Sequence, residues 1–273
     1  MSVVTALNQK GGVGKTSTCY HLAGALALSG KRVLLVDNDP QASLTQGFLG
    51  PQATRGLDPS ETVAAVYEQD AVVERVVRAT HVPGVDLLCG GRAAGSFNVP
   101  DPHLADWPLQ TALRDFLEDV ADGYDLVLID CPPNLHLASW TSLVASDALL
   151  VPLQPEDFGA QGIADVQESI ARVVAGPNPS LRLLGFLVTM SSPRLSVHKG
   201  FEQLLRTHYG ADVFKTTIPI ATDFKEAIVQ RKPVAQYKPK GAATRVMKAL
   251  GAEIFERLAA IDAPKTETEE EAA

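Results

Sequence analysis

The stretch Gln9-Lys-Gly-Gly-Val-Gly-Lys-Thr-Ser17 is a glycine-rich turn between two regular segments. An apolar run, Val3–Leu7, precedes it and predicts a buried strand, and apolar residues recur at helical spacing from Thr16 to Ser29. Gly30 offers a natural end for that helix. A glycine-rich loop between a strand and a helix is typical of phosphate-binding loops, in which backbone N–H groups and the helix N-terminus face phosphate oxygens.

The loop departs from the usual phosphate-loop pattern at its start and carries an extra lysine. Gly14-Lys15-Thr16 fits the end of the pattern, but Gln9 stands where the pattern begins with glycine, and Lys10 is a second lysine. The pattern predicts that Lys15 bridges the β- and γ-phosphates of ATP and that the Thr16 hydroxyl binds Mg²⁺ directly. The loop residues expected to bind ATP are Lys10, Gly11, Gly12, Val13, Gly14, Lys15, Thr16 and Ser17.

Apolar strands alternate with helical patterns along the rest of the chain. The further strand candidates are Arg32–Asp37, Val85–Cys89, Leu126–Asp130, Ala148–Pro152 and Leu183–Thr189, and the further helix candidates are 109–120, 135–146, 194–208 and 241–260. Strands of unbroken Val, Leu and Ile are buried on both faces, so the alternation predicts one α/β domain, a mostly parallel twisted sheet with helices on both faces. We place this domain at 1–262 and expect a disordered acidic tail at 263–273.

Three acidic residues stand at or just beyond the ends of predicted strands, where ligands of parallel sheets bind. Asp130 ends one strand, Asp37 ends another, and Asp39 lies two residues further on. In an extended segment, residues two apart face the same side. These positions let Asp130 and Asp37 hold Mg²⁺ through water and let the Asp37–Asp39 pair orient water. The alternative for that pair is that one of the two only caps the next turn, before Pro40.

The charge of the chain is unevenly distributed. The net charge is −8, which by itself argues against a nucleic-acid partner. Residues 191–250, however, hold eleven Lys and Arg against four Asp and Glu. This asymmetry indicates an anionic partner met by one face, and the alternative is a solvated mixed surface.

The remaining composition favours a cytoplasmic globular protein. The residues are 45% hydrophobic and 21% charged, which is ordinary for a globular domain. Cys19, Cys89 and Cys131 are too few for a disulfide framework, and we expect the last two to be structural. No apolar run approaches the roughly 20 residues that span a bilayer, and the N-terminus lacks the basic region and long apolar core of a signal peptide.

Five segments together resemble motifs of the ParA/MinD family of P-loop ATPases, with the ParA (Soj-like) branch as the nearest match. The loop 10–17 resembles the family's deviant Walker A box. The others are Val33-Leu-Leu-Val-Asp37-Asn-Asp39-Pro-Gln-Ala-Ser-Leu-Thr45, the Walker B-like Leu126-Val-Leu-Ile-Asp130-Cys-Pro-Pro133, Val213-Phe-Lys-Thr-Thr-Ile-Pro219, and Lys232-Pro-Val234. The resemblance runs from about residue 3 to 260, and it implies an ATPase that uses ATP and Mg²⁺.

The resemblance also implies roles for single residues. Asp39 would position the nucleophilic water, with Asp37 nearer the metal, and Pro219 would join the ATP site. A second ammonium, Lys10, among inward N–H groups is repelled unless phosphate neutralises it. In the family this lysine reaches across a homodimer to the partner's nucleotide, as a trans-acting arginine finger does. The catalytic set is thus Lys10, Lys15 and Asp39.

ParA-type ATPases dimerise with ATP, bind nonspecific DNA in that state and partition plasmid or chromosome DNA, and a ParB-like partner stimulates their weak hydrolysis. The resemblance implies the same here, in a nucleoid-associated cytoplasmic protein. The family stretch Ile-Pro-Arg-Asn-Val-Arg-Leu-Ser-Glu-Ala reads here Ile218-Pro-Ile-Ala-Thr-Asp-Phe-Lys-Glu-Ala227, so Ile220 and Asp223 replace both arginines. The DNA contacts we expect instead are Arg194, Lys199, Lys225, Arg231 and Lys232.

Other members of this superfamily supply the alternatives. A ParA-like ATPase can position a protein cargo, such as a chemoreceptor cluster or microcompartment, through another cargo adaptor. A MinD-like membrane-associated regulator needs a basic amphipathic C-terminal helix, whereas this chain ends in glutamates, so we expect no membrane partner. An iron-protein type needs cysteines placed to share a cluster across a dimer, and three unpaired cysteines fit this poorly.

Overall fold

The computed structural model describes residues 1–155 and 160–263. Within them, one sheet has seven strands in the order β3-β4-β2-β5-β1-β6-β7. The strands are β1 Ser2–Ala6, β2 Val33–Asp37, β3 Val77–Ala79, β4 Val85–Leu88, β5 Leu126–Asp130, β6 Ala148–Leu153 and β7 Arg182–Val188. All neighbours are parallel except β3 and β4, which pair antiparallel. The predicted fold class is confirmed.

Twelve α-helices connect and cover these strands in the described part of the chain. They are α1 Lys15–Leu28, α2 Ser43–Leu49, α3 Pro51–Arg55, α4 Val63–Glu68, α5 Val73–Val76, α6 Trp107–Val120, α7 Leu137–Val144, α8 Ala160–Val174, α9 Ser196–Tyr209, α10 Thr222–Val229, α11 Val234–Tyr237 and α12 Ala242–Asp262. None of these helices is long and apolar enough to cross a bilayer.

The sheet separates two apolar cores because successive strand residues point to opposite faces. On β5, Val127 and Ile129 join one core, and Leu126 and Leu128 join the other. Helices α4, α6, α7, α8 and α9 contribute side chains to the first core, and α1, α2, α10, α11 and α12 contribute to the second. Helices therefore cover both faces, and the functional groups are left to the strand ends.

Close contacts fix α1, the helix after the loop, against the C-terminal segment. A Cβ at Gly24 would lie 2.2 Å from Cβ of Pro233, and a Cβ at Gly251 would lie 2.7 Å from Cδ2 of Leu26. Neither position has room for a larger side chain. The helix that begins in the loop is thus packed directly on α11 and α12.

The predicted strands agree with the structure to within one or two residues, and several elements were missed. Strand β3 lies in the region 51–84 that shows little periodicity, and helices α2 to α5, α8, α10 and α11 were not predicted. The acidic tail predicted at 263–273 lies, apart from Ala263, outside the described residues.

Candidate functional site

The ends of three adjacent strands bring the predicted residues together. Strand β5 lies between β1 and β2, with Asp130 in register with Ala6 on one side and with Asp37 on the other. The loop that follows β1 therefore lies beside Asp130, and Asp37 lies one strand further along the same edge. Residues far apart in the sequence meet here because the strands are parallel and end at the same edge of the sheet.

The glycines of the loop give it a concave, open backbone. Gly12 and Gly14 have φ angles of 80° and 85°, in the left-handed region that favours glycine. No atom lies within 4 Å of a Cβ built at Gly11 or Gly12, so the space in front of them is open. Helix α1 begins immediately afterwards, at Lys15, and its N-terminus adds a positive partial charge.

A buried asparagine that the sequence analysis missed holds the start of the loop. Asn8 donates from Nδ2 to the carbonyl of Pro152 at 2.8 Å, and its Oδ1 accepts a bond from the backbone N–H of Lys10 at 2.9 Å. The asparagine thus ties the loop to β6. It precedes the motif by one residue, and only the strand-to-loop position distinguishes it in the sequence.

Two further residues reach the loop from the neighbouring strands β6 and β7. Gln154 donates from Nε2 to the carbonyl of Gly12 at 3.0 Å, and Thr189 donates from Oγ1 to the carbonyl of Val13 at 2.8 Å. Each follows its strand by one residue. These bonds hold the loop carbonyls away from the open face.

Lys15 is buried and bonded to its own loop. Its Nζ donates to the carbonyls of Asn8 at 2.9 Å and Lys10 at 3.0 Å. Burial lowers the pKa of Lys15, and the charge of Asp130 opposes this. The ammonium is therefore held beside both the glycine backbone and the buried carboxylate.

Asp130 and Asp37 are fully buried carboxylates, and their oxygens accept fewer hydrogen bonds than they could. Neither oxygen of Asp130 has a hydrogen bond of good geometry within the described residues. Burial raises its pKa well above the usual range, Asp37 raises it further, and the hydroxyl of Thr16 opposes both. Such a group is costly unless a cation or a donor reaches it.

The two oxygens of Asp37 differ, because one accepts hydrogen bonds from the protein and the other does not. Its Oδ2 accepts bonds from the backbone N–H and the hydroxyl of Thr45, both at 2.7 Å, and so caps the first turn of α2. Helix α2 begins after Pro40, so this capping differs from the alternative considered above, which concerned the turn before Pro40. Its Oδ1 is buried without a partner among the described residues, and burial raises the pKa of Asp37 to about 7.

These groups fit a divalent cation that also binds phosphate. Among residues 1–155 and 160–263, no three His, Cys, Asp or Glu side chains are placed to form a metal cage. Mg²⁺ rarely needs one, since it usually keeps several waters and takes one or two carboxylates plus phosphate oxygens. The partly exposed Thr16 and the unpartnered oxygens of Asp37 and Asp130 match that need.

Asp39 occupies the mouth of the site. It is half-buried, whereas Asp37 and Asn38 before it are fully buried. Its Oδ1 accepts a bond from the backbone N–H of Gln41 at 2.9 Å, which orients the carboxylate.

A cleft of about 250 Å³ opens beside the loop and brings Pro219 to the site. Its wall near the loop includes Gly14 and Ser17, and its far wall is mostly apolar. The far wall is lined by Met190, Ile218, Pro219, Ile220, Phe224 and Ile228, with Lys225 among them. The structure thus places the predicted Pro219 next to the loop.

The five basic residues predicted to contact DNA are spread over several elements. Arg194 lies in the turn before α9, Lys199 on that helix and Lys225 on α10, and all three are exposed. Lys232 is exposed after α10. The guanidinium of Arg231 lies over Gly50, where a Cβ would be 2.5 Å from its Cζ.

An ion-pair cluster surrounds Asp223, one of the two positions at which the resemblance implied an arginine. Asp223 accepts a bond from Nζ of Lys238 at 2.6 Å, and Glu226 accepts one at 3.1 Å. The positive charge of Lys238 is therefore balanced within the chain. Ile220, at the other arginine position, is 60% exposed.

The three cysteines are buried and free of disulfides. Burial raises the pKa of Cys89 and of Cys131 to about 12. Thiols of this kind are inert, in line with the structural role expected for them.

Comparisons with known proteins identify close relatives over nearly the whole chain. A family model described as an AAA domain matches residues 1–183. The chromosome-partitioning ATPase Soj of Thermus thermophilus is 40% identical over 257 residues, covering 93% of this chain and 96% of that protein. The chromosome partitioning protein ParA of Caulobacter vibrioides is 34% identical, covering 94% and 95%.

Solved structures show the same fold. Cobyrinic acid a,c-diamide synthase from Mycobacterium smegmatis, with bound ADP and magnesium, is 26% identical with a TM-score of 0.79, covering 95% of this chain and 96% of that one. An ATP complex of McdA from Cyanothece is 20% identical with a TM-score of 0.79, covering 97% and 99%.

Proposed function

The chain belongs to the ParA/MinD family of P-loop ATPases, and we propose that it binds ATP with Mg²⁺, dimerises in that state and binds nonspecific DNA to partition a plasmid or chromosome. The observation that carries the proposal is the pair of buried, underbonded carboxylates, Asp37 and Asp130, beside Lys15 and the open glycine loop. Hydrolysis is weak until a ParB-like partner stimulates it, and the protein works on the nucleoid in the cytoplasm.

In this proposal the loop 10–17 binds the phosphates. Thr16 would hold Mg²⁺ directly, and Asp37 and Asp130 would hold it through water. When bound, Mg²⁺ neutralises charge on the phosphate oxygens. Two carbonyls hold the ammonium of Lys15 beside the loop, and phosphate oxygens would compete with them for its donors. The apolar cleft at Pro219 takes the nucleoside.

Two residues complete the catalytic set with Lys15. Asp39 orients the water that attacks the γ-phosphate, since it is the half-exposed carboxylate at the mouth of the site. Lys10 is exposed at the start of the loop and contributes to the nucleotide of a second copy. The positive charge that it adds there stabilises negative charge on the transferred phosphoryl group.

DNA binding is proposed for the exposed residues Arg194, Lys199, Lys225 and Lys232. Phosphate contacts need charge more than exact geometry, so these residues can replace the family's lost arginines. Arg231 was predicted with them and stays in the proposal, although its guanidinium packs over Gly50.

A filter-binding titration on random duplex DNA with ATP tests this part. Affinity should fall steeply as salt rises, and Arg194→Ala should weaken binding. Arg114→Ala is the matched control, because Arg114 is already paired with Asp115 at 3.0 Å on α6. Binding that is absent, insensitive to salt or equally weakened by both variants would defeat the DNA proposal.

One observation favours a second candidate, a ParA-like ATPase that positions a protein cargo through an adaptor. Ile220 and Val229 are 60% and 77% exposed near the ion-paired Asp223, and such a surface suits protein more than DNA. ATP-dependent dimers that do not bind DNA would support this candidate. Co-sedimentation with anionic liposomes would instead indicate a MinD-like regulator.

A further inference from the structure

The side chain between the two aspartates at the end of β2 is a buried amide. Asn38 has no solvent exposure, and its backbone N–H donates to the carbonyl of Asp130 at 2.9 Å. This bond continues the pairing of β2 with β5 beyond Asp37. The backbone between Asp37 and Asp39 is thereby joined directly to the strand that carries the other buried carboxylate.

The amide group of Asn38 joins the same backbone to two helices. Its Nδ2 donates to the carbonyl of Ala138 at 2.8 Å and to Oγ of Ser142 at 2.9 Å, both on α7. Its Oδ1 accepts a bond from the hydroxyl of Tyr67 on α4 at 2.8 Å. Tyr67 in turn lies 2.9 Å from Oγ1 of Thr141, also on α7.

This network uses all the donors of the Asn38 amide and an acceptor position on its oxygen. An apolar side chain at position 38 would remove the acceptor of the buried Tyr67 hydroxyl, which costs stability. The buried asparagine is thus satisfied only because polar groups of two helices are placed to meet it. The hydrogen bonds of Asn38 fix the orientation of the peptide segment that leads into Asp39.

We propose that Asn38 is a positioning residue for ATP hydrolysis: through α7, Tyr67 and β5 it fixes the backbone from which the Asp39 carboxylate reaches its water. The inference rests on the role proposed above for Asp39. Asn38 itself is fully buried. It acts by holding Asp39 within the narrow range of positions that in-line attack requires.

A double-mutant cycle on single-turnover ATP hydrolysis tests the inference. Asn38→Ala should lower the rate about tenfold, since misplacing a reacting group by an ångström can cost up to about 100-fold. The Kd for ATP should change less than about twofold, because the loop is untouched. In the Asp39→Ala background, Asn38→Ala should cause no further loss of rate.

The matched control is another buried asparagine bonded to the other end of α7. Asn178 donates from Nδ2 to the carbonyls of Leu143, Val144 and Ser146 at 3.0, 3.1 and 2.7 Å. Asn178→Ala should lower Tm as Asn38→Ala does, and it should leave the hydrolysis rate unchanged. The milder Tyr67→Phe removes one bond to Asn38 and should lower the rate about twofold to threefold without unfolding the protein.

The outcomes separate the two claims. If Asn38→Ala lowers the rate by the same factor with and without Asp39, or if Asn178→Ala lowers it equally, the positioning role is overturned while that of Asp39 stands. If Asp39→Ala itself leaves the rate unchanged, the role of Asp39 is overturned and the inference with it. Should Asn38→Ala fail to fold, Tyr67→Phe with a wild-type rate overturns the inference.

Discussion

The strand-end site and the C-terminal segment 213–241 differ in whether their charged side chains have partners. At the strand ends, Oδ1 of Asp37 and both oxygens of Asp130 are buried without a hydrogen bond of good geometry among the described residues. In the C-terminal segment, Lys238 is exposed and already paired with Asp223 and Glu226. Unsatisfied buried charges call for a ligand, whereas satisfied exposed charges reveal nothing about one. The first region therefore specifies its ligand and the second does not.

Helix α1 joins the two regions. It begins in the phosphate loop and packs on the C-terminal segment through Gly24 and His21. Substitutions on α1 test whether the strand-end site and the C-terminal segment depend on each other. Substitutions within one of the two regions test that region alone.

The largest effect is expected at the strand-end site. Lys15→Ala removes the ammonium held beside the loop and should lower ATP hydrolysis by about 100-fold or more, measured by phosphate release. Lys31→Ala is the control, because Lys31 pairs with Asp125 at 2.9 Å near the opposite ends of the strands. It should change the rate less than about twofold, as expected of a surface pair. Equal losses of ATP hydrolysis in the two variants would show that Lys15 has no special role in the strand-end site.

A smaller effect is expected from pH, through the buried His21. Its Nδ1 accepts a bond from the backbone N–H of Val234 at 3.0 Å, and burial lowers the pKa of His21 to about 4. The unfolded chain therefore binds this proton more tightly, so the contribution of His21 to the free energy of unfolding is fully present above about pH 6.5 and is lost as the pH falls toward 4. The loss from this group between pH 7 and 5 should be about 2 kcal/mol.

Urea denaturation at pH 7 and pH 5 measures that loss. In His21→Asn the amide oxygen can replace Nδ1 as the acceptor, and no proton is taken up. The variant should lose less stability than the wild type over this interval. Equal losses would show that His21 does not link α1 to the C-terminal segment in the way described.

A comparable or smaller effect is expected from Gly24→Ala. Its Cβ would lie 2.2 Å from Cβ of Pro233, so the free energy of unfolding should fall by about 1–3 kcal/mol. Gly200→Ala on α9 is the matched control, since nothing lies within 4 Å of its Cβ position. That change should stabilise the protein by about 0.5–1 kcal/mol. Similar results for both, from urea denaturation, would contradict the tight contact between α1 and α11.

The parts of the site that lie in contiguous sequence motifs could be predicted from the sequence. The loop and the strand-end acids Asp37 and Asp130 are encoded in short runs, and the parallel strands bring them together as expected. Asn8, Gln154 and Thr189 support the loop from three different strands, and a single buried polar residue after a strand carries no distinctive pattern. Strand β3 has three residues, too few for any period to show.

Charge pairing shows why the DNA surface was harder to predict. A count of basic residues cannot tell that Lys238 is neutralised by two acids or that Arg231 packs over Gly50. Those facts depend on how α10 and α11 fold against the rest of the chain. Asp223, where the resemblance implied an arginine, is a partner in this local cluster.

If Lys10 makes the loop half of a site shared by two copies, the molar mass measured by light scattering tests this role most directly. With Mg²⁺ and a slowly hydrolysed ATP analogue, the wild-type chain should move from 29.1 kDa to twice that mass. Lys10→Ala should bind the analogue, remain at the mass of one chain and lose ATP hydrolysis. A Lys10→Ala variant that dimerises and hydrolyses ATP as the wild type does would contradict the account.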